Sequence, residues 1–216
     1  SPEERTSVKR AARVQIVRGL MKACALAALL YLNQSVSLEQ VPGLITVWMG
    51  FVVYIVFSGL VDILAGIEGL FGIIVCPMFN APPIARNPRD FWGRRWNLWF
   101  TKTAHRLIFQ PLGGRQRPWI AVSAVFIVSA WLHEVISMLS LKTFDGRMLF
   151  FFAIHGMATL VFTMFDRFHP KPFPRPIAIV MHFAWMAATL PWFMGPANDM
   201  MGISDWTLTS AIELLI

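Results

Sequence analysis

Two adjacent ionisable residues, His133 and Glu134, lie inside an apolar stretch near the middle of the chain. The stretch Trp119–Leu141 is long enough to cross a bilayer as a helix, and it contains no other ionisable group. Titratable side chains at membrane depth are costly and mark a functional site by default. His133 lies about 4.5 Å beyond the middle of the stretch at a helical rise of 1.5 Å per residue. The sequence therefore places an imidazole near the bilayer midplane.

Three serines share a helix face with this histidine. They lie four residues before it and four and seven residues after it, at Ser129, Ser137 and Ser140. This polar stripe should face protein or a wet cavity. A neutral imidazole there can take a proton from a hydroxyl and pass it on, as a general base does. A core histidine hydrogen-bonded between helices is the alternative. Glu134 lies about 100° further round the helix, and we expect it to make a structural contact between helices.

The segment Asn87–Phe100, which precedes this stretch, is also unusual; because it comes first in the chain it is called the first unusual segment, and Trp119–Leu141 the second. Asn87 followed by Pro88 is typical of a helix start, because Asn can cap the helix and Pro needs no amide hydrogen at the first position. The predicted helix carries one polar face and one aromatic face, formed by Asp90, Arg94 and Asn97 and by Trp92, Trp96 and Trp99. This pattern is typical of an amphipathic helix at the membrane interface. Its basic side chains also suit a docking surface for a phosphorylated cofactor.

The other histidines and the cysteines give weaker signals. His155 and His182 lie in other apolar runs without a polar stripe and are interpreted as packing or supporting residues. His105 and His169 belong to basic loops. No ligand spacing indicates a metal site, and the second histidine of a zinc-protease helix is absent. The two cysteines support neither a disulfide framework nor a thiolate metal site.

The composition points to a membrane protein. Of 216 residues, 56% are hydrophobic and only 14% are charged, which leaves too few polar residues to cover a soluble domain. Spanning takes about 20 apolar residues, and four clear runs and one weaker run approach that length: Leu44–Val61 with an extension towards Cys76, Trp119–Leu141, Met148–Phe165, Ile177–Gly195 and the weaker Ala12–Leu32. We predict a single all-α domain over residues 1–216, a multi-pass bundle of about five transmembrane helices with a cytoplasmic amphipathic helix.

Two details of these runs lead to further expectations. The basic side chains in the weaker run, Arg13, Arg18 and Lys22, can extend to the membrane interface. The last stretch, Trp206–Ile216, is too short to span the membrane alone and is interpreted as a half-inserted or truncated helix.

The basic residues predict the orientation of the spans. Six Lys and Arg lie in residues 1–22, eight lie between Arg86 and Arg117, and three lie between Arg167 and Arg175. With five spans these regions fall on one side, which the positive-inside rule makes cytoplasmic. The net charge of +7 thus reflects membrane topology and contact with an anionic lipid or cofactor, and it does not require a nucleic-acid partner. An endoplasmic reticulum membrane or a bacterial inner membrane would suit these spans.

The two unusual segments together resemble the membrane-bound O-acyltransferases, and more narrowly their wax-synthase-like branch. The resemblance is carried by Asp90-Phe91-Trp92-Gly93-Arg94-Arg95-Trp96-Asn97 and by Ser129-Ala130-Trp131-Leu132-His133-Glu134. The first segment is fairly specific, because it combines three aromatic residues, two arginines and an asparagine. The second is short but has the expected character and order. The strong resemblance covers residues Phe79–Ser140, and beyond them it rests on the pattern of spans.

The resemblance implies a helical membrane enzyme that transfers an acyl group from acyl-CoA, its co-substrate, to a hydroxyl without a further cofactor. The family's catalytic base falls on His133 and its second active-site residue on Asn97. Asn97 would orient the thioester or donate a hydrogen bond to the oxyanion. Substrate-binding roles fall on Asp90, Trp92, Arg94, Arg95, Trp96 and Ser129, with the CoA phosphates near the two arginines. The family usually has more spans, which implies a missing N-terminal part.

The expected acceptor is lipophilic: a long-chain alcohol, a sterol or a terpenoid alcohol. The rival hypothesis is a non-catalytic polytopic protein, either a transporter or a lipid-binding scaffold, in which His133 and Glu134 form a proton relay or a packing contact. A transporter predicts paired broken helices and inverted repeats, and the sequence shows neither. An inactive family member would bind acyl-CoA without turnover, so release of free CoA separates these hypotheses.

Overall fold

The computed structural model describes residues 2–36, 38, 43–168 and 173–213, and their regular structure is helical. His169, assigned above to a basic loop, lies outside the described residues. The main helices are α1 (Pro2–Ser35), α2 (Leu44–Leu70), α3 (Pro88–Arg94), α4 (Leu98–Ala104), α5 (Pro118–Leu141), α6 (Arg147–Phe168), α7 (Arg175–Thr189), α8 (Pro191–Met201) and α9 (Leu208–Glu213). Short helical turns precede α3 at Pro82–Ile84, follow α4 at His105–Phe109 and precede α9 at Ile203–Asp205.

Four of the described helices are long and apolar enough to cross a membrane. They are α1 over Thr6–Ser35, α2, α5, and α6 over Arg147–Phe165. Helices α7 and α8 meet at an angle of 50° and make a fifth span if the bent pair counts as one. The predicted all-α, multi-pass membrane fold is therefore confirmed.

Two of the predicted apolar runs differ in detail from the helices that they form. Helix α2 ends at Leu70 and does not continue towards Cys76, because Gly72 adopts a left-handed conformation and Ile73 N–H donates to the Glu68 carbonyl. This glycine-terminated ending stops a helix. The run Ile177–Gly195 is not one straight helix either. Its break falls at Leu190, since Pro191 has no amide hydrogen for a helical bond and its ring crowds the preceding turn.

Backbone contacts divide the chain into two units, and each is described by itself. The first comprises residues 1–78 and 203–216, and the second comprises residues 79–202. The single domain over residues 1–216 stays a prediction.

An ion pair joins the two long helices of the first unit. Lys22 Nζ donates to Asp62 Oδ2 at 2.7 Å and to the Ser58 carbonyl at 3.3 Å. The Lys22 side chain is thus bonded to the neighbouring helix, and its extension to the membrane interface stays a prediction. A buried carboxylate needs a counter-ion, and Lys22 on the neighbouring helix supplies it for Asp62.

Glycines allow α1 and α2 to approach closely. A Cβ atom on Gly66 would lie 2.9 Å from the Ala12 carbonyl oxygen and 3.0 Å from the backbone nitrogen of Ile16. Both are backbone atoms, so the helices would have to separate. We expect Gly66→Ala to lower the free energy of unfolding by about 1–3 kcal/mol through overpacking. Thermal melting of the purified protein in detergent tests this. Leu64→Ala, on the exposed face of α2, should change the melting temperature little, and equal losses would contradict the explanation.

The second unit has an aromatic core. Helices α3, α5, α6 and α8 contribute to it, with Ala130, Phe151 and Phe152 buried at its centre and Trp92, Phe126, Leu149 and Phe193 packed around them. Two rings of this core, Phe152 and Phe193, contact His133 on α5.

Candidate functional site

The segment predicted as one amphipathic helix is two helices. Asn87 caps α3 as expected, because its Oδ1 accepts a hydrogen bond from the Asp90 amide at 2.8 Å. The helix ends at Arg94, and Asn97 adopts a left-handed conformation with φ of +41°. Asparagine tolerates this conformation, and its Oδ1 caps α4 by accepting from the Phe100 amide at 3.1 Å. Asp90, Arg94 and Asn97 therefore do not share a face of one helix.

An ion pair closes the loop around α3. Arg95 Nε donates to Asp90 Oδ2 at 2.8 Å, and Arg95 Nη1 donates to the carbonyls of Asn80 and Ala81 at 3.2 and 3.3 Å. Arg94, by contrast, is exposed. The two neighbouring arginines thus differ, because one is bonded to the protein and the other faces outward.

The predicted aromatic face is also divided. Trp92 enters the core, with its ring centroid 5.8 Å from that of Phe152. Trp96 stacks on Phe91 at 5.4 Å, and Trp99 is exposed. The three tryptophans therefore do not form one lipid-facing surface, because the chain turns between α3 and α4.

His133 is partly buried on α5, beside the aromatic core. Its Nδ1 lies 2.8 Å from the Ser129 carbonyl oxygen one turn earlier. A carbonyl oxygen can only accept, so in the neutral imidazole Nδ1 carries the proton and Nε2 keeps its lone pair. The rings of Phe152 and Phe193 lie 4.5 and 5.7 Å from the imidazole. This arrangement orients a potential proton acceptor.

The predicted serine stripe is present only in part. Ser129 and Ser137 are buried, and Ser140 is exposed. Among the described residues, the Ser137 hydroxyl has no hydrogen-bond partner. Ser129 acts on His133 through its backbone carbonyl, a role that the residue type did not indicate.

Glu134 makes the structural contact predicted for it. The side chain is 1% exposed, and its Oε1 accepts hydrogen bonds from the Gly146 and Asp145 amides at 2.7 and 3.2 Å. Its Oε2 accepts from the Leu149 amide at 3.3 Å. These donors lie at the start of α6, where a carboxylate also suits the helix dipole. The carboxylate next to His133 thus joins α5 to α6.

The two histidines interpreted as packing or supporting residues differ in their contacts. His155 is fully buried and forms hydrogen bonds with Trp92 and Thr189. His182 is also buried, and its ring centroid lies 5.5 Å from that of Phe91. Neither of its ring nitrogens has a hydrogen-bond partner among the described residues. The link from Trp92 to His155 was missed because it joins residues 63 positions apart.

The structure brings Trp92 close to His133, whereas it shows no such link for Asn97. Trp92 and His133 both pack on Phe152, so the first unusual segment reaches the helix of the second. No hydrogen bond or ring contact among the described residues joins Asn97 to His133. The described residues also contain no group of three His, Cys, Asp or Glu side chains that could hold a metal ion.

Comparison with known proteins adds the relationship to a family. Residues 75–153 match the membrane bound O-acyl transferase family. The chain is 30% identical to Acyl-CoA--sterol O-acyltransferase 1 of Arabidopsis thaliana over 67% of this chain and 45% of that protein. It is 32% identical to the Long-chain-alcohol O-fatty-acyltransferase of Simmondsia chinensis over 42% of this chain and 28% of that protein.

The matching region contains the two helices of the first unusual segment and the part of α5 that carries His133. The chain spans less than half the length of these relatives. The family match and the similarity to alcohol and sterol acyltransferases agree with the resemblance of the two segments. The chain thus belongs to the membrane-bound O-acyltransferase family, in its wax-synthase-like branch.

Proposed function

We propose that this protein transfers an acyl group from acyl-CoA to the hydroxyl of a lipophilic alcohol and forms an ester. The observation that carries the proposal is the orientation of His133. Its Nδ1–H is bonded to the Ser129 carbonyl, which leaves the Nε2 lone pair to accept a proton. The similarity to acyltransferases that are named for sterols and long-chain alcohols supports the acyl transfer and the class of acceptor.

In the proposed reaction, the acceptor hydroxyl donates its proton to His133 Nε2 as its oxygen attacks the thioester carbonyl carbon. A carbon–oxygen bond forms, and the carbonyl oxygen becomes an oxyanion. The carbon–sulfur bond then breaks, and the CoA sulfur receives the proton from the imidazolium. The products are an ester and free CoA, and the imidazole returns to its neutral form.

Asn97 supports this chemistry best as a hydrogen-bond donor. Its Oδ1 is engaged with the Phe100 amide, so its side-chain NH₂ is the group that can turn to a substrate. We therefore assign it to the developing oxyanion, where a preorganised donor lowers the barrier.

The donor's phosphates are proposed to bind at the exposed Arg94, because a guanidinium suits phosphate oxygens. Arg95 and Asp90 would support this contact through their ion pair, which holds the loop around α3. Trp92, Trp96 and Ser129 are the proposed substrate contacts further along the path of the acyl chain. The two tryptophan rings offer apolar surface for this role.

The proposed acceptors are long-chain alcohols, sterols and terpenoid alcohols, and the proposed location is the endoplasmic reticulum membrane or a bacterial inner membrane. The basic segments would face the side that supplies acyl-CoA.

Release of free CoA by the purified full-length protein in detergent tests the function. Palmitoyl-CoA and acetyl-CoA are each offered with hexadecanol, a sterol or a terpenoid alcohol, and the ester is identified by mass spectrometry. We expect thiol release that depends on the alcohol, with one ester formed per thiol. Binding of acyl-CoA without turnover of any pair would instead favour the non-catalytic scaffold.

A further inference from the structure

A directional series of hydrogen bonds joins three helices of the second unit. Trp92 Nε1–H on α3 donates to His155 Nδ1 on α6 at 3.2 Å. The His155 ring must therefore carry its proton on Nε2, which lies 2.9 Å from the Thr189 hydroxyl oxygen on α7. The Thr189 hydroxyl in turn donates to the Trp185 carbonyl at 2.9 Å. Both nitrogens of His155 are thus engaged, so this histidine is not a second base.

This series lies in the interior of the unit. His155 is fully buried and Thr189 is 4% exposed. In such surroundings a polar atom that loses its partner is costly, so the three helices are held in one relative arrangement. The connection is therefore suited to fixing geometry.

The first end of the series reaches one wall of the His133 site. The Trp92 ring, oriented by its bond to His155, packs on Phe152 with centroids 5.8 Å apart. Phe152 lies 4.5 Å from the His133 ring. A shift of the Trp92 indole would thus displace the Phe152 ring, which contacts the His133 imidazole.

The other end reaches a second aromatic ring beside His133. Thr189 is the last residue of α7, just before the break that starts α8. Phe193, in the first turn of α8, lies 5.7 Å from His133 and 5.2 Å from Phe151. The bond from His155 to Thr189 therefore holds the end of the helix that determines where Phe193 enters the site.

We propose that His155 is a positioning residue for His133: it bonds α3 to the break between α7 and α8 and so holds the two aromatic walls that contact the imidazole. The assignment rests on the proposed function. His155 acts through Trp92, Phe152, Thr189 and Phe193, and it takes no proton from the substrate. Loss of its bonds should lower kcat more than it alters KM, since a displacement of about 1 Å at a reacting group is enough to cost about 100-fold in rate.

The test compares steady-state kinetics of wild type, His155→Ala, His155→Asn and Thr189→Val. We expect His155→Ala to lower kcat at least about 10-fold, with KM for acyl-CoA and for the alcohol changed less than about 3-fold. His155→Asn can keep an acceptor for Trp92 and should recover part of the rate. Thr189→Val removes only the other bond and should also lower kcat.

Thr159→Val is the matched control, because Thr159 is a buried threonine on α6 whose hydroxyl has no partner among the described residues. It should retain wild-type kcat. Equal losses in Thr159→Val and Thr189→Val, or a folded His155→Ala with wild-type kcat, would overturn the assignment. If His155→Ala does not fold, the two threonine variants decide. A wild type without turnover overturns the proposed function itself, and this assignment with it.

Discussion

Replacing His133 with alanine is expected to lower kcat by roughly 10²–10⁴-fold, the usual contribution of a general base. Nδ1 of the His133 imidazole is bonded to the Ser129 carbonyl, which leaves the lone pair of Nε2 as the proton acceptor. Alanine keeps α5 helical and removes the proton acceptor. Release of free CoA, measured with the best acyl donor and alcohol pair, gives the change in rate.

The control for this prediction is His105→Ala, which removes an exposed histidine from the same unit. It should keep at least half of the wild-type rate. Both variants must elute as the wild type does in size-exclusion chromatography. A folded His133→Ala protein with wild-type kcat would remove His133 from the mechanism and favour a structural role for the polar face of α5.

Replacing Glu134 with alanine is expected to cost about 3 kcal/mol of stability, because three backbone amides at the start of α6 lose a charged acceptor. The buried carboxylate is the contact that joins α5 to α6 through hydrogen bonds at this end. Water cannot easily replace it in so closed a position. The apparent melting temperature in detergent should fall by roughly 6–12 °C.

Glu134→Gln separates the contribution of shape from that of charge. Its carbonyl oxygen can still accept from Gly146 and Asp145, whereas its NH₂ would face the Leu149 amide as a second donor. We expect a loss intermediate between wild type and Glu134→Ala. Glu68→Gln changes an exposed carboxylate on α2 and should leave the melting temperature within about 1 °C. The explanation is wrong if Glu134→Ala has the same melting temperature as the wild type.

Much of the fold followed from local patterns in the sequence. A helix long enough to span the hydrocarbon needs about 20 apolar residues, so the runs around α2, α5 and α6 were recognisable without a structure. The Asn87–Pro88 start of α3 was equally clear, because capping depends on adjacent residues. The geometry between His133 and Glu134 also followed from the helical repeat, which directs neighbouring side chains to different contacts.

The site required the tertiary structure where it depends on contacts between distant segments. The left-handed conformation of Asn97 divides the predicted helix in two. Asparagine is compatible with a position inside a helix and with a cap position, so the residue type alone does not show which of the two it takes. The pairing of Lys22 with Asp62 depended on which faces of α1 and α2 meet. Apolar patterning reports that a face is buried but not which partner buries it.

Sequence patterns were sufficient for the membrane-spanning class, the family and the base candidate, because length, hydrophobicity and short motifs are properties of contiguous residues. The role of His155 could not be read in this way. Its bonds to Trp92 and Thr189 bridge 63 and 34 positions of the chain, and they exist only because the packing of α3, α6 and α7 brings three polar groups into line. A hydrogen bond depends on distance and direction, and both are decided when the helices pack.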